Sequence, residues 1–324
     1  MSILIDSTHL FFRNFWMNKN DIVVYAPDEN QKSVPTGEIN TGYMAHVIYA
    51  SILVLINKFK ASKDNQVYLA LDSKPSWRHD YYVEHSKQFP EYNEKTYKGD
   101  RNKHDELPFD EIWKSYNIVM ENLAQCSDFH VIKVDKAEAD DIIAVLAINS
   151  INEDVYVCSS DKDFHQLQRE NVHIYDPIKK IIIPKIDIER RKQLHFLVAG
   201  DDNIKAVKPR CGIKTAEKML QEGLDDILKS DPEIRARYEF NRTLIDFDYI
   251  PEYLVKNIKE TVYNTKDLCY NGSKLMAFFA KYKMKMMLSR INQFKLKNEQ
   301  DKFVVPSKSQ VSTIVDNSIK AFFS

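Results

Sequence analysis

Short apolar runs alternate with helical segments over residues 1–190, and this alternation limits the possible folds more than any other feature. The apolar runs are Ile3–Ile5, Val67–Leu71, Phe129–Val134 and Val155–Cys158. Between them, apolar residues recur at helical spacing over residues 44–59, 112–123 and 141–148. Strands that alternate with helices predict an α/β fold with a mostly parallel central sheet flanked by helices. A last run at Ile181–Ile183, followed by a proline, predicts an edge or hairpin strand.

The composition excludes several classes of protein. The chain has 324 residues, of which 44% are hydrophobic, enough for one large or two modest domains. The net charge of -1 argues against a basic nucleic-acid coat, although local basic patches stay open. The cysteines lack the CxxC spacing, so neither a disulfide framework nor a zinc site is predicted. Without a signal peptide or a long apolar run, we expect a cytoplasmic protein that does not enter the membrane.

Three parts of the chain differ in composition. Residues 1–190 are predicted to form the α/β core, in which residues 73–108 are an insertion without a clear apolar face. Insertions of this length in compact domains are usually functional. Residues 191–305 are predicted to be mostly helical and become basic over residues 273–302, which is typical of a duplex-binding track or of a solvated face. Residues 306–324 predict a flexible tail.

Acidic residues follow the predicted strands. Asp6, Asp72, Asp161 and Asp163 come directly after three of them, and Glu138, Asp140 and Asp141 open the helix after the fourth. Parallel strands end at the same edge of a sheet, so we expect these side chains to converge. Carboxylates at close range repel one another unless a cation lies between them, and Mg²⁺ prefers oxygen ligands. Two ions about 4 Å apart are the usual arrangement for phosphodiester cleavage.

Less specific interpretations of the same residues remain open. A single aspartate after a strand is commonly a turn or N-cap residue. Glu138 and Asp141 are also typical of a helix N-terminus, where the macrodipole stabilises negatively charged side chains. The pair Asp161 and Asp163 forms a DxD pattern, which phosphatases use, although they usually place it after the first strand. A metal-dependent phosphatase and a catalytically inactive DNA-binding scaffold are therefore alternatives.

Four segments resemble, in order, the acidic blocks of the structure-specific 5′-nucleases. They are "ILIDS", "LALDS", "AEADDIIAVLA" and "SSDKDFHQL". This family includes flap endonucleases and the 5′-nuclease domains of bacterial DNA polymerases. The segment "LIDFDYIPEYLVKNI", residues 244–258, resembles the ribonuclease H subgroup of T-even bacteriophages. The resemblance covers about residues 1–300 and implies a PIN-like nuclease core, a helical arch over residues 73–108 and a C-terminal helical DNA-binding region.

The resemblance implies a set of metal ligands for two Mg²⁺ ions, which Mn²⁺ can replace. The residues are Asp6, Asp72, Glu138, Asp140, Asp141, Asp161, Asp163, Asp202 and Asp201. The last two lie in "GDDN", which is two residues shorter than the family's GDxxDN block. Asp202 matches the later aspartate of that block best, so it ranks above Asp201.

The segment "YKGDR" resembles the family's YKxxR block on the arch. The resemblance implies that Lys98 and Arg101 are catalytic residues that hold the scissile phosphate, and that Tyr97 stacks on an unpaired base. Arg78, in a Trp-Arg pair like that of the phage subgroup, is a further phosphate-contact candidate. The alternative is that residues 73–108 are a solvated insertion.

The segment "GIKTAEKML" resembles the end of the family's helix-turn-helix block. Gly212, Lys214 and Thr215 are then expected to contact duplex phosphates, with a K⁺ ion in the loop. Arg210 stands where the family has a glycine. An ordinary helix start capped by the threonine is the alternative.

The last nine residues, "DNSIKAFFS", resemble a sliding-clamp-binding peptide. Its apolar residues would be Ile319, Phe322 and Phe323, on one face of a short 3₁₀ helix. The alternative is that the two aromatic rings fold back onto the protein's own core.

Together, the resemblances imply a Mg²⁺-dependent 5′ to 3′ exonuclease and 5′-flap endonuclease. Its substrates would be flap or nicked duplex DNA and RNA–DNA hybrids, and its role the removal of RNA primers from lagging-strand fragments during phage replication. We expect a monomer in the host cytoplasm, with the sliding clamp and a single-strand-binding protein as partners.

Overall fold

A computed structural model describes residues 1–29, 31–61, 65–89, 97, 107–199, 204–265 and 270–296. Its centre is a six-stranded sheet. In spatial order the strands are β5 (His130–Lys133), β4 (Gln66–Leu71), β1 (Ser2–Asp6), β6 (Val155–Cys158), β7 (Val172–Asp176) and β8 (Ile181–Ile182). The first five are parallel, and β8 pairs with β7 in the antiparallel direction. The predicted α/β fold with a mostly parallel sheet is confirmed, and so is the hairpin strand at its edge.

Strand β1 lies in the middle of the sheet and is buried along its whole length. Side chains alternate between the two faces of a strand, so Ile3 and Ile5 join one core cluster whereas Leu4 joins another. A strand buried on both faces has an apolar run rather than an apolar–polar alternation, which is what β1 shows.

Helices cover both faces of the sheet. The first core cluster contains residues of α1 (Ser7–Met17), α3 (Thr41–Lys58), α5 (Phe109–Cys126), α12 (Gly272–Lys281) and α13 (Lys285–Leu288). The short α2 (Lys19–Ile22) follows α1. The second cluster contains residues of α6 (Ala139–Asn149) and α11 (Glu252–Asn264). Within the part of the chain that the structure describes, no helix combines the length and the apolar character needed to span a membrane.

A third cluster lies in the helical region that follows the sheet. It is formed by α7 (Ile188–Val198), α8 (Ile213–Glu222), α9 (Leu224–Ser230) and α10 (Pro232–Ile245). Phe196 on α7 and Phe240 on α10 are almost fully buried in it. Helix α4 (Trp77–His85) contributes Tyr82 to the same cluster.

Helix α4 lies inside the segment that was expected to lack an apolar face. Trp77 packs into the second core cluster, while Tyr82 and Phe89 pack into the third. These buried residues are aromatic and pack into two different clusters. The sequence of the helix therefore shows no single apolar stripe. Of the remaining insertion, residues 90–96 and 98–106 lie outside the described residues.

The C-terminal helices pack against the elements that flank the sheet. Leu275, Phe279 and Leu288 are fully buried in the first core cluster, beside α3 and α5. Residues 270–296, within the predicted helical region 191–305, therefore also take part in the packing of the sheet domain. Lys274, Lys281 and Lys285 of these two helices are exposed, as expected on the polar side of amphipathic helices.

A separate two-stranded antiparallel sheet was not predicted. It consists of β2 (Val23–Pro27) and β3 (Ser33–Ile39), with a register shift between Val23 and Tyr25. Most of its residues are exposed or half-buried, and Gly37 has a φ of 88°, which favours glycine. Because the hairpin contains two prolines and few apolar residues, its sequence lacks the alternating pattern that predicts strands.

Candidate active site

The carboxyl ends of β1, β4 and β6 form one acidic rim, as the sequence predicts. Asp6 is the last residue of β1, and its register partner on β4 is Ala70, two residues before Asp72. On the other side, Ile5 pairs with Cys158, three residues before Asp161. Both neighbouring acids act electrostatically on Asp6.

Asp6 is a buried acid of the rim with two acidic neighbours. Burial raises the pKa of its carboxyl, the negative charges of Asp72 and Asp161 raise it further, and the result is a pKa of about 7. Two hydrogen bonds oppose this shift: Oδ1 accepts the backbone N–H of His9 at 3.0 Å, and Oδ2 accepts the Ser159 hydroxyl at 3.4 Å. A cation near these oxygens would stabilise the charged form.

Asp72 connects the rim to two helices. Its Oδ1 accepts the N–H of Ala139, the first residue of α6, at 2.7 Å. Its own N–H donates to the Thr8 hydroxyl on α1 at 3.2 Å. The carboxylate at the end of β4 is therefore held in a fixed position between α1 and α6.

The segment after β6 is ordered by its own polar groups. The N–H of Asp161 donates to the Ser159 hydroxyl at 3.1 Å, and the N–H of Asp163 donates to Oδ1 of Asp161 at 2.9 Å. The Ser160 hydroxyl lies 2.8 Å from Nε2 of His9. The two acids are thus tied to the strand end and to α1, as an Asx-type turn would tie them.

Glu138 and Asp141 form a reciprocal capping box at the start of α6. The N–H of Glu138 donates to Oδ2 of Asp141 at 2.9 Å. The Ser76 hydroxyl donates to Oε1 of Glu138 at 3.1 Å, and the Trp77 indole N–H donates to Oδ2 of Asp141 at 3.0 Å. The helix-N-terminus interpretation therefore holds for this pair, and the same residues still line the rim.

Arg78 is fully buried beneath these acids. Its Nη1 lies 2.6 Å from Oδ1 of Asp141, and 3.4 Å from both Oε2 of Glu138 and Oδ1 of Asp140. Its Nε donates to the carbonyl of Leu244 on α10 at 2.8 Å. Burial lowers the pKa of Arg78, but the three carboxylates outweigh burial and raise the pKa overall.

Two expectations change because of Arg78. Its guanidinium faces inward, only 2% exposed, so the expected phosphate contact has no support in this geometry. Asp141 is fully buried, and both its oxygens already contact Arg78, Trp77 or the helix backbone. Burial raises the pKa of Asp141 and Arg78 lowers it. These contacts favour an anchoring role for Asp141 over direct metal ligation.

The described carboxylates of the rim do not by themselves form an ion-binding cluster. Among the residues that the structure describes, no three His, Cys, Asp or Glu side chains are grouped closely enough to hold an ion by themselves. Two of the expected ligands, Asp201 and Asp202, lie outside the described residues. A few carboxylates at the rim still suit Mg²⁺, which keeps several waters and needs few protein ligands.

The expected duplex contacts lie at the start of α8. Gly212 is its N-cap residue, and Lys214 and Thr215 are in its first turn. Gly212 and Lys214 are exposed and Thr215 is half-buried. The threonine is the third helical residue, so the alternative of a threonine cap is wrong. Arg210 adopts a φ of 59°, the left-handed conformation for which the family uses glycine.

The other expected residues are placed only in part. Tyr97 is buried in the third cluster, with its ring 5.6 Å from that of Tyr82. In this position it packs against the protein, whereas base stacking requires an accessible face. Lys98, Arg101, Ile319, Phe322 and Phe323 lie outside the described residues.

The sequence analysis missed several polar residues of the rim. His9 and Ser159 contact it directly, and His195 on α7 lies 3.3 Å from Asp163. His9 and Ser159 are close in sequence to predicted ligands, which was an available signal. His195 reaches the rim from another element and had no local signal.

Comparison with known proteins agrees with this geometry. Residues 1–195 match the family described as 5′-3′ exonuclease, N-terminal resolvase-like domain, and residues 195–294 match the C-terminal domain of T4 RNase H. Ribonuclease H of Enterobacteria phage T4 is 28% identical over 282 residues, covering 79% of this chain and 88% of that protein. The flap endonuclease Xni of Pseudoalteromonas translucida is 25% identical over 242 residues, covering 71% of this chain and 82% of that protein.

A solved structure shows the same fold. It is the bacteriophage T5 flap endonuclease, described as a pseudo-enzyme-product complex with DNA and metal ions. It superposes with a TM-score of 0.51 at 16% sequence identity and covers 82% of this chain and 99% of that chain. The shared fold confirms the PIN-like core, and the match of residues 1–195 to the family confirms the resemblance. The chain belongs to the 5′-3′ exonuclease family, as a nuclease with a resolvase-like N-terminal domain and a C-terminal domain of the T4 RNase H type.

Proposed function

We propose that the chain is a Mg²⁺-dependent 5′ to 3′ exonuclease and 5′-flap endonuclease that acts on DNA and on RNA–DNA hybrids. The observation that carries the proposal is the convergence of Asp6, Asp72 and Asp161 at one rim, where burial and then the charges of the two neighbouring acids raise the pKa of Asp6 to about 7. Side chains that repel one another in this way are expected where a cation binds.

The ligands would come from the ends of the strands and the start of α6. Asp6, Asp72, Asp161 and Asp163 provide carboxylates at the rim, together with Glu138 and the half-buried Asp140. Bound Mg²⁺ or Mn²⁺ supplies a water of lowered pKa and neutralises charge on the leaving oxygen. Arg78 and Asp141 position this set from below, because they hold Glu138 and Asp140 in place.

Substrate binding involves residues outside the rim. The exposed Gly212 and Lys214 at the start of α8 are suited to phosphates of duplex DNA, with K⁺ in the adjoining loop. Lys98 and Arg101 would hold the scissile phosphate. The T5 flap endonuclease, solved with DNA and metal ions, and the flap endonuclease and ribonuclease H relatives support nucleic acid as the substrate.

The biological role proposed is the removal of RNA primers from lagging-strand fragments in phage replication, by a monomer. The sliding clamp would bind Ile319, Phe322 and Phe323, and a single-strand-binding protein is a further partner. Deletion of residues 316–324 should abolish clamp-stimulated cleavage and leave basal cleavage unchanged. Clamp binding that survives this deletion contradicts the assignment of the tail.

One cleavage assay tests the proposed activity. A 5′-flap DNA and a nicked RNA–DNA duplex are labelled on the strand whose 5′ end is to be cut. Each is incubated with Mg²⁺ and either wild type or Asp161→Asn. We expect the wild type to cut both substrates and the variant to lose most of the activity, because it removes one ligand charge. Equal cutting by the two proteins would falsify the metal assignment.

The same samples separate the two alternatives. A catalytically inactive scaffold would bind flap DNA equally with and without Mg²⁺ and never cut it. A metal-dependent phosphatase would release phosphate from a small phosphate ester, and this activity would not depend on Lys98 or Arg101. The family assignment and the acidic rim both favour the nuclease.

A further inference from the structure

We propose that His195 is a positioning residue, which holds the Asp163 carboxylate in the orientation that binds the divalent cation. The inference rests on the metal-dependent function proposed above, and it adds a side chain from the helical region to the rim of the sheet. Its basis is a contact between two elements: Nδ1 of His195 on α7 lies 3.3 Å from Oδ1 of Asp163 after β6.

Helix α7 fixes the position of the imidazole. His195 lies in its last turn and its side chain is 14% exposed. The next residues, Phe196 and Leu197, are buried in the third cluster. One turn earlier, Lys192 forms ion pairs with Asp246 at 2.6 Å and with Asp248 at 2.8 Å. The ring is therefore presented to the rim by a helix anchored on two sides.

The backbone of Asp163 is fixed from the other direction. Its N–H donates to Oδ1 of Asp161 at 2.9 Å, and Asp163 opens a 3₁₀ helix over Asp163–Leu167. The following Phe164 is fully buried in the second core cluster. The Asp163 side chain is 33% exposed, and the imidazole lies beside its Oδ1, where it restricts rotation of the carboxylate.

The chemistry of the contact suits a carboxylate that binds metal. A neutral imidazole with its proton on Nδ1 carries a donor 3.3 Å from Oδ1 of Asp163, so the role requires no charged ring. Hydrogen bonds from a second shell of residues orient carboxylate ligands in metal sites, and losing one typically costs roughly 10- to 100-fold in metal affinity. His195 is placed to act on the ion through Asp163.

The test measures Mn²⁺ binding to the full-length protein without DNA, by calorimetry and by the EPR signal of free Mn²⁺. His195→Phe keeps an aromatic ring but removes the nitrogen donor. His195→Asn keeps an N–H close to the position of Nδ1. The matched control is His173→Phe on β7, which removes an imidazole that lies 3.7 Å from Asp154, before the start of β6 and away from the rim.

We expect His195→Phe to weaken Mn²⁺ binding at one site roughly 10- to 100-fold, His195→Asn to recover most of the loss, and His173→Phe to bind as the wild type does. Thermal unfolding in EDTA verifies that each variant is folded, and His195→Leu replaces a phenylalanine variant that does not fold. Equal affinity of wild type and His195→Phe overturns the proposal. Equal losses in the Phe and Asn variants also overturn it, because packing would then matter and the donor would not.

Two further results separate this role from related ones. A ¹⁴N coupling to bound Mn²⁺ that disappears in His195→Phe would make His195 a direct ligand, and this overturns the positioning role. A wild type that binds no Mn²⁺ contradicts the proposed metal-dependent function itself and the role of His195 with it. Binding by the wild type that His195→Phe does not change contradicts the role of His195 alone.

Discussion

Asp6 lies where burial and two neighbouring acids all disfavour its negative charge. Its pKa is about 7 in the folded protein, against 3.8 for an unperturbed aspartate. Between these two values the folded state binds the proton more tightly than the unfolded state does. The unfolding free energy must therefore fall as the pH rises through this window, by up to about 1.4 kcal/mol per pH unit.

This linkage gives a prediction for Asp6→Asn. In EDTA, the wild type should lose stability between about pH 4 and pH 7 more steeply than the variant does. Asparagine keeps the N-cap bond to His9 but has no charge to desolvate. Urea unfolding at several pH values measures both slopes, and Mg²⁺ should reduce the loss in the wild type. Parallel slopes for the two proteins would refute the raised pKa.

Arg78 is the second residue whose charge determines the site. Replacing it with methionine leaves Asp141 charged, buried and without its cation, so we expect Arg78→Met to lower the unfolding free energy by about 3–5 kcal/mol. Chemical denaturation measures the change. Lys136→Met is the control, because it removes the exposed ion pair of Lys136 with Asp80 and should have a much smaller effect. Comparable losses in both variants would contradict a central role for Arg78.

The sequence predicted the acids of the rim but not their supports. Strand ends are local features, so Asp6, Asp72 and Asp161 could be identified from the apolar runs before them. The roles of Arg78 and His195 depend on contacts with α6 and with the 3₁₀ helix after β6, which are distant in sequence. The expected phosphate contact of Arg78 treated an arginine in a charged insertion as exposed. The sequence of that segment alone does not show that Arg78 is buried among aromatic residues of two core clusters.

At the scale of elements, the closest contact between two helical segments involves Gly42 near the start of α3. A Cβ atom there would lie 2.7 Å from the backbone carbonyl oxygen of Tyr282, which follows α12. Backbone atoms cannot move aside as a flexible side chain can. The absence of a side chain at Gly42 thus permits α12 to pack against the sheet domain.

Gly42→Ala should therefore destabilise the protein even though alanine favours helices. We expect a loss of roughly 1–3 kcal/mol from forced displacement of the two segments. Val54→Ala on the same helix is the control, because Val54 is 62% exposed and its truncation should change stability by less than about 0.5 kcal/mol. Thermal and urea unfolding compare the two. An unchanged or increased stability of Gly42→Ala would show that α12 packs differently.

Strong periodicity decided which elements could be predicted. The periodic segments within α3, α5 and α6 and the apolar strands β1, β4 and β6 were all recognised. Strand β7 was missed because a histidine and an aspartate interrupt its five residues. The β2–β3 hairpin was missed because it packs little apolar surface, so its sequence carries little alternation.

The C-terminal helices complete the core of the whole molecule. Residues of α12 and α13 share a core cluster with β1, the first strand, so the two ends of the described chain complete the same packing. Composition alone suggested a division near residue 190, because strands end there and basic residues increase. Burial of Leu275 and Phe279 beside α5 could not be read from that change in composition.

Two truncations test whether the C-terminal helices are needed to complete the core. Removing residues 270–324 takes Leu275, Phe279 and Leu288 out of the first cluster, so we expect a protein that does not unfold cooperatively. Removing residues 306–324 leaves every described contact in place, and its melting temperature should equal that of the full chain. Circular dichroism and calorimetry distinguish the outcomes. A cooperatively folded 1–269 fragment would show that the helices are dispensable for the fold.

The burial of Arg78 also limits how sequences of this type can diverge. One guanidinium balances Glu138, Asp140 and Asp141 at once, so no single replacement at any of these four positions preserves the balance. Loss of the arginine should be tolerated only where an acid has been lost as well. Among homologous sequences, positions 78, 138, 140 and 141 are therefore expected to covary as one group.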